Sequence, residues 1–390
     1  MNAKTSRSSN CVSQSHFFST FLQAGKNGPV LRIMLPVLTL SFAVAAHSQQ
    51  LSYLPGSAGF PAPPPGAVLK ASPSPLPARV PASHSRLQTT LAAPTRTKEA
   101  IASTNYSYTY INIPNTAFVQ PVAINNHDVV TGYYADENFV YHGFVWQQGT
   151  AQTIDYPGSV ATFLSGINDH GVLIGTYQDA NYATYTVTYS LADASWSVLP
   201  AIPGGWQEIF GIAQINDDGI AIGCAVGAGY LSWMWHPDSQ TYSYFTASAA
   251  TEASTCAFAV SGKRHAMGTF VLPYSNAQFL FLKDRRDEFT SIPVPLNLQG
   301  TLFSPFALNN YDTIVGTLGT ATSISGFIRT RDGAFEIVNV PDYDQTYLAG
   351  LNDTGVLCGN VYSVATGASP GFIAYPGKQA VSTGWVALPR

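Results

Sequence analysis

The residues of this chain that could do chemistry are mostly carboxylates set beside aromatic rings. They fall in four short stretches: Tyr134, Asp136 and Glu137; Asp179 and Tyr182; Trp206 and Glu208; and Asp342, Tyr343 and Asp344. Rings next to carboxylates and amides suit stacking on sugar rings and hydrogen bonding to their hydroxyls. The competing reading is that Tyr and Trp are simply good strand and rim formers. Paired carboxylates, Asp342 with Asp344 or Asp136 with Glu137, would serve a hydrolase or lyase as acid and base if they stood at catalytic separation on one face. Nothing else points to catalysis. The chain has no His-Glu-x-x-His, Gly-x-Ser-x-Gly, Ser-x-x-Lys or phosphate-cradling glycine loop.

Metal chemistry is as weakly marked, and no cofactor is expected. His127 and His170 fall at turn positions, which favours exposed turn residues over a metal pair. The Asp-rich turns leave calcium open, but none has the twelve-residue EF-hand loop with its terminal Glu. Of the four cysteines, Cys11 lies in the leader and Cys224, Cys256 and Cys358 in the body. At most one disulfide can form among three. Cys224 and Cys358 sit in apolar runs and read as buried thiols.

Charge is unevenly spread. The first 100 residues hold 9 of the 18 Lys/Arg and one acid, Glu99, so residues 101–390 carry 9 basic and 21 acidic groups. A body of net −12 repels phosphate backbones, which excludes nucleic acid as a main partner. Within it Lys263, Arg264, Lys283, Arg285 and Arg286 form a basic group in the two turns of a single repeat. This is either a contact face for an anionic surface or a second copy, or drift offset by Asp284, Asp287 and Glu288.

The elements that must position these residues come from an internal repeat. Ile124-Asn125-Asn126-His127-Asp128 recurs as Ile167-Asn168-Asp169-His170-Gly171, Ile215-Asn216-Asp217-Asp218-Gly219, Leu308-Asn309-Asn310-Tyr311-Asp312 and Leu351-Asn352-Asp353-Thr354-Gly355, with a degenerate copy around Ser261. Each is followed by an apolar run reaching a glycine, at positions 132, 175, 223, 268, 316 and 359. An Asn-Asp-x-Gly stretch between apolar runs is a tight hairpin, with Asn and Asp bonding their own backbone. The run after it reads as the inner strand, ending at its glycine. A second hairpin completes four short strands in about 45 residues, the pattern of a β-propeller blade. The expected fold is all-β: six four-stranded blades over residues 106–390. Tyr108–Pro114 and Trp385–Pro389 compete to close the ring. In such a ring the hairpin turns emerge at one end and the 2–3 and 4–1 loops, with all four aromatic stretches, at the other.

These motifs, continued by His142-Gly143-Phe144 and Thr153-Ile154-Asp155-Tyr156-Pro157-Gly158, resemble the HAF repeat of extracellular bacterial proteins over about residues 107–376. The resemblance implies export and a propeller-like array, and carries no catalytic residues. The signature His remains only as His142, with Ser232, Phe279, Ser325 and Pro370 near that position in copies three to six.

Residues 1–48 read as a signal peptide with a long n-region. Lys26 and Arg32 precede the apolar run 33–45, and cleavage is expected near Ser48–Gln49. Residues 49–105, rich in proline, read as a disordered linker. An uncleaved anchor is the alternative. The expectation is thus an exported, non-enzymatic propeller, secreted, periplasmic or at the cell surface, that binds a glycan or a protein. A polysaccharide hydrolase or lyase, or a purely structural or adhesive surface protein, stands as the alternative.

Overall fold

The computed structural model describes residues 106–377, except 210–211, 228, 248–253, 272–277, 293–301 and 320–322. The expected leader, linker and second closing strand lie outside the described residues. Among these the chain is all β, in six antiparallel sheets. β1 (Tyr106–Ile111) stands apart in sequence from the sheet it joins. Blade 1 is β2 (Thr116–Ile124), β3 (Val130–Asp136), β4 (Tyr141–Gln147) and β5 (Thr150–Thr153). Blade 2 is β6 (Ala161–Ile167), β7 (Val172–Gln178), β8 (Thr184–Ser190) and β9 (Ser195–Val198). In blade 3 the first strand is split into β10 (Gln207–Glu208) and β11 (Gln214–Ile215), followed by β12 (Ala221–Val226), β13 (Tyr230–His236) and β14 (Thr241–Phe245). Blade 4 is β15 (Ser254–Val260), β16 (Ala266–Val271), β17 (Gln278–Lys283) and β18 (Phe289–Ile292). Blade 5 is β19 (Leu302–Leu308), β20 (Ile314–Gly319), β21 (Ile324–Arg329) and β22 (Phe335–Val338). Blade 6 is β23 (Gln345–Leu351), β24 (Leu357–Tyr362) and β25 (Gly371–Pro376), completed by β1.

The ring closes through β1, whose Tyr106 to Ile111 pair with Pro376 to Gly371. β1 thereby covers the edge of β25 that a three-stranded sixth sheet would leave open.

The inner strand is the one before each Asn turn, and the glycine run is the second strand. β2, β6, β11, β15, β19 and β23 contact in turn around the axis. The glycines do not end their strands either, since β3 runs on from Gly132 to Asp136. They face a β-bulge. In blades 1, 2, 4, 5 and 6 the register slips beside the partner of Gly132, Gly175, Gly268, Gly316 and Gly359. The bulge pushes a carbonyl against the glycine Cα.

Packing is almost wholly between blades. Val145, Ile154, Leu164 and Leu173 join blades 1 and 2, and Ile174, Ala213, Ala225 and Trp233 join blades 2 and 3. Cys224 on β12 bonds Cys256 on β15, crosslinking blades 3 and 4, so the reading of Cys224 as a thiol fails. That pairing joins separate repeats, and hydropathy could not show it. Cys358 is a buried free thiol, as expected. Replacing Cys224 and Cys256 together with serine should lower stability by about 3 kcal/mol, the usual worth of a crosslink over such a span. Urea unfolding of both forms measures it, and wild-type protein in reductant should match the variant.

Candidate functional site

The two ends of the ring are chemically different. At the hairpin end the five Asn turns and the Ser261 turn converge on an open depression at the axis, lined by Asn126, Asp169, Asp217, Gly262, Asn310 and Asp353. Behind it lies a hydrogen-bonded belt. Asn125, Asn168, Asn216, Asn309 and Asn352 are only 3–5% exposed. In four of these turns the Asn Oδ1 accepts from two backbone N–H groups of its own turn, as in Asn125 with His127 and Val129 at 3.0 Å. Its Nδ2 donates outward: Asn125 to the Asn168 carbonyl, Asn168 to Asn216, Asn216 to Ser261, Asn309 to Asn352, and Asn352 back to Asn125.

The Asn half of the turn reading therefore holds, and the Asp half changes. Asp169, Asp217 and Asp353 do not bond their own backbone. They accept from the preceding blade, through Asn126 N, Asp169 N and Asn310 N, each at 2.8 Å. His127 and His170 are exposed at these turns.

All seven described Lys/Arg residues also lie at this end, in blades 4 and 5: Lys263, Arg264, Lys283, Arg285, Arg286, Arg329 and Arg331. Lys283 offers nothing to a contact face, being buried against Asp287 and the Phe245 ring. Arg264 pairs with Asp218 at 2.8 Å and Lys263 lies over Tyr311, while Arg285 and Arg286 are exposed. His265 Nδ1 meets the buried Asp312 at 2.7 Å.

The loop-rich end holds the aromatic–carboxylate stretches. The carboxylates are largely engaged in shaping their own loops. Asp136 Oδ1 accepts from Asn138 N and Val140 N, and Asp179 Oδ1 from Asn181 N and Ala183 N, each at 2.8–2.9 Å. The backbone N–H of Val140, and that of Ala183, hold these carboxyls below the usual range. Asp344 Oδ2 accepts from Val364 N at 2.7 Å. Asp342 takes a left-handed turn conformation, and Glu137 is exposed.

The predicted rings are spread along the rim. Tyr134 stacks on His142 and bonds Thr153, Tyr343 meets Tyr110, and Trp206 is half-buried against Gly227. Tyr182 is 73% exposed. Glu208 is turned inward, and burial pushes its carboxyl up to about 8.

Three tyrosines do gather. Tyr156 and Tyr177 lie parallel with centroids 3.8 Å apart, and Tyr177 stacks on Tyr185 at 5.1 Å. The Tyr185 hydroxyl donates to Asp179 Oδ2 at 3.4 Å. Of this group the sequence reading had only Asp179 and its neighbour Tyr182. Counting back from the 2–3 hairpin, which sets Tyr177 opposite Tyr185, would have found two of the three rings. His142 was likewise undervalued: its Nδ1 lies 2.6 Å from Asp155 Oδ2 and its Nε2 4.0 Å from Asp136 Oδ2.

No family model matches this chain, and no curated protein does. Among solved structures it is similar to TolB from Acinetobacter baumannii, at 10% identity and a TM-score of 0.42 over 64% of each chain. It thus spans just under two thirds of that protein's length. An oligogalacturonate lyase in complex with manganese gives 12% identity and 0.43, over 72% of this chain and 96% of the other. A virginiamycin B lyase from Staphylococcus aureus gives 10% and 0.41, over 69% and 99%. Similarity at this level says nothing of activity or ligand.

Proposed function

We propose that this is an exported, non-enzymatic propeller of the HAF-repeat type that binds a glycan at its loop-rich end. The observation that carries the reading is the Tyr156–Tyr177–Tyr185 stack with Asp179 at its edge and exposed Tyr182 on the same loop. Partly exposed rings with a carboxylate alongside offer a sugar an apolar face and a hydroxyl acceptor together. Asp136 and Asp179 favour a binding role, because backbone N–H groups stabilise their ionised forms and make them poor proton donors. Export is supported by the leader pattern and by the Cys224–Cys256 bond, which suits an oxidising compartment. Among the described residues no helix is long and apolar enough to cross a membrane.

A glycan array followed by calorimetry tests this. Tyr185→Ala should weaken the best-bound glycan about tenfold, equivalent to about 1.4 kcal/mol, while the melting temperature barely moves. Binding unaffected by both Tyr185→Ala and Tyr182→Ala, or the absence of glycan binding, would overturn it. The enzymatic alternative rests on His142 between Asp155 and Asp136, and product release from a bound polysaccharide that is lost in His142→Ala would favour it.

A further inference from the structure

Blades 2 and 3 meet over buried polar atoms for which the described residues supply few hydrogen-bond partners. Both carboxyl oxygens of Glu208 and the hydroxyl of Thr176 are sealed from solvent with no well-formed hydrogen bond among the described residues, and the Thr186 hydroxyl is sealed beside the carboxyl. Glu208 stands on β10 opposite Ala225. The residue as a whole is half-buried, and its carboxyl oxygens are the part shut off from solvent. Thr176 and Thr186 face each other across β7 and β8. They share a face with Ile174, which packs against Ala213, Ala225 and Trp233 of blade 3. Thr186 is the polar side chain that acts on the carboxyl. The titratable neighbour is Tyr242, whose hydroxyl donates to the Pro200 carbonyl at 2.8 Å. Every described Lys and Arg lies in blades 4 and 5.

An ionised carboxylate buried without a counter-charge is costly, so the folded seam must supply a proton or a cation. A carboxylate with two hydroxyls is a set of hard oxygen donors, of the kind that suits hard cations. One negative charge balanced by one positive leaves the seam neutral, whereas a divalent ion would leave a buried surplus. We propose that the seam between blades 2 and 3 binds a monovalent alkali cation through the Glu208 carboxylate, with the Thr186 and Thr176 hydroxyls as further oxygen donors. This site is independent of the glycan reading.

The competitor is the proton. The carboxyl titrates near 4.5 when unfolded and near 8 in the fold. The stability from keeping it protonated is therefore complete below pH 4.5 and is lost as pH rises through 8. A cation that binds the ionised form restores stability on the alkaline side only.

The full chain should be melted in choline chloride, sodium chloride and potassium chloride at equal ionic strength, at pH 5 and pH 9. At pH 9 sodium or potassium is expected to raise the melting temperature by about 3 °C or more over choline, and at pH 5 the salts should agree. Glu208→Gln mimics the protonated side chain and should fold. It should lose the alkali response and show a smaller drop between pH 5 and pH 9 than wild type. Rubidium located in the seam by anomalous scattering would support the site directly. Equal melting in choline and alkali salts at pH 9, or an undiminished response in Glu208→Gln, would overturn it. So would stabilisation by calcium where neither alkali ion acts.

Discussion

The Gly359→Ala variant is expected to lose about 4 kcal/mol or more and to fail in assembling blade 6. A Cβ on this residue would lie 1.9 Å from the Tyr347 carbonyl oxygen and 3.1 Å from Leu348 Cα. Both are backbone atoms of the adjacent inner strand, so no rotamer change relieves the clash. The carbonyl is there because the β23–β24 register slips between Leu348 and Gly350, bulging the inner strand toward its partner. Moving it back would part the pair and strip Leu348 and Leu357 of their shared core. Gly223→Ala should behave differently. There the nearest atoms belong to the Trp233 side chain, because the inner strand of blade 3 is split into β10 and β11 and the bulge is replaced by an insertion. Urea unfolding compares the two. A Gly359→Ala protein within about 1 kcal/mol of wild type would show that the bulge carbonyl yields freely.

Asn352→Ala is expected to cost about 4 kcal/mol. Asn352 Oδ1 accepts from Thr354 N, Thr354 Oγ1 and Val356 N at 2.9–3.0 Å. Its Nδ2 donates to the Asn125 carbonyl at 3.2 Å and to Asp128 Oδ1 at 3.0 Å. Truncation strands the buried Val356 N–H and Asn125 carbonyl, at about 1–3 kcal/mol each, while the part-buried Thr354 and Asp128 groups can turn to water. It also cuts the belt where the last repeat joins the first. The fourth repeat shows the milder form of this loss. Ser261 stands at the Asn position there; its carbonyl still receives Asn216, and its Oγ accepts only from His265 N at 3.3 Å. Amide exchange at Val129 and Val356 should accelerate together in Asn352→Ala. Acceleration at Val356 alone would mean that the belt does not couple the blades.

The repeat was legible because a turn served best by Asn and a strand that needs glycine keep those residues at fixed spacing in most copies, so copies only about 10% charged still align by their backbone demands. Which strand lines the axis was not legible. Two apolar runs flank each Asn turn, both are buried, and periodicity assigns neither to the inside. The bulge that explains the glycines has no residue signature. Asp169 reads as a turn residue because its real partner, Asn126 N, lies 43 residues away in another blade. Glu208 reads as a rim carboxylate because the split of the inner strand, which turns it into the seam, interrupts the repeat without breaking its spacing.

Blade 6 takes its outer strand from the other end of the array, and this sets an order of events during synthesis. Ser107 pairs with Tyr375, 268 residues further on. β1 leaves the ribosome before any blade exists and must remain unpaired until β25 follows. At about 5–20 residues per second that wait lasts on the order of ten seconds or more. Until then the sixth sheet lacks its fourth strand and its outer edge stays open. The first described strand is thus the last to be used, and this longest-range strand pairing is what finishes the sixth sheet.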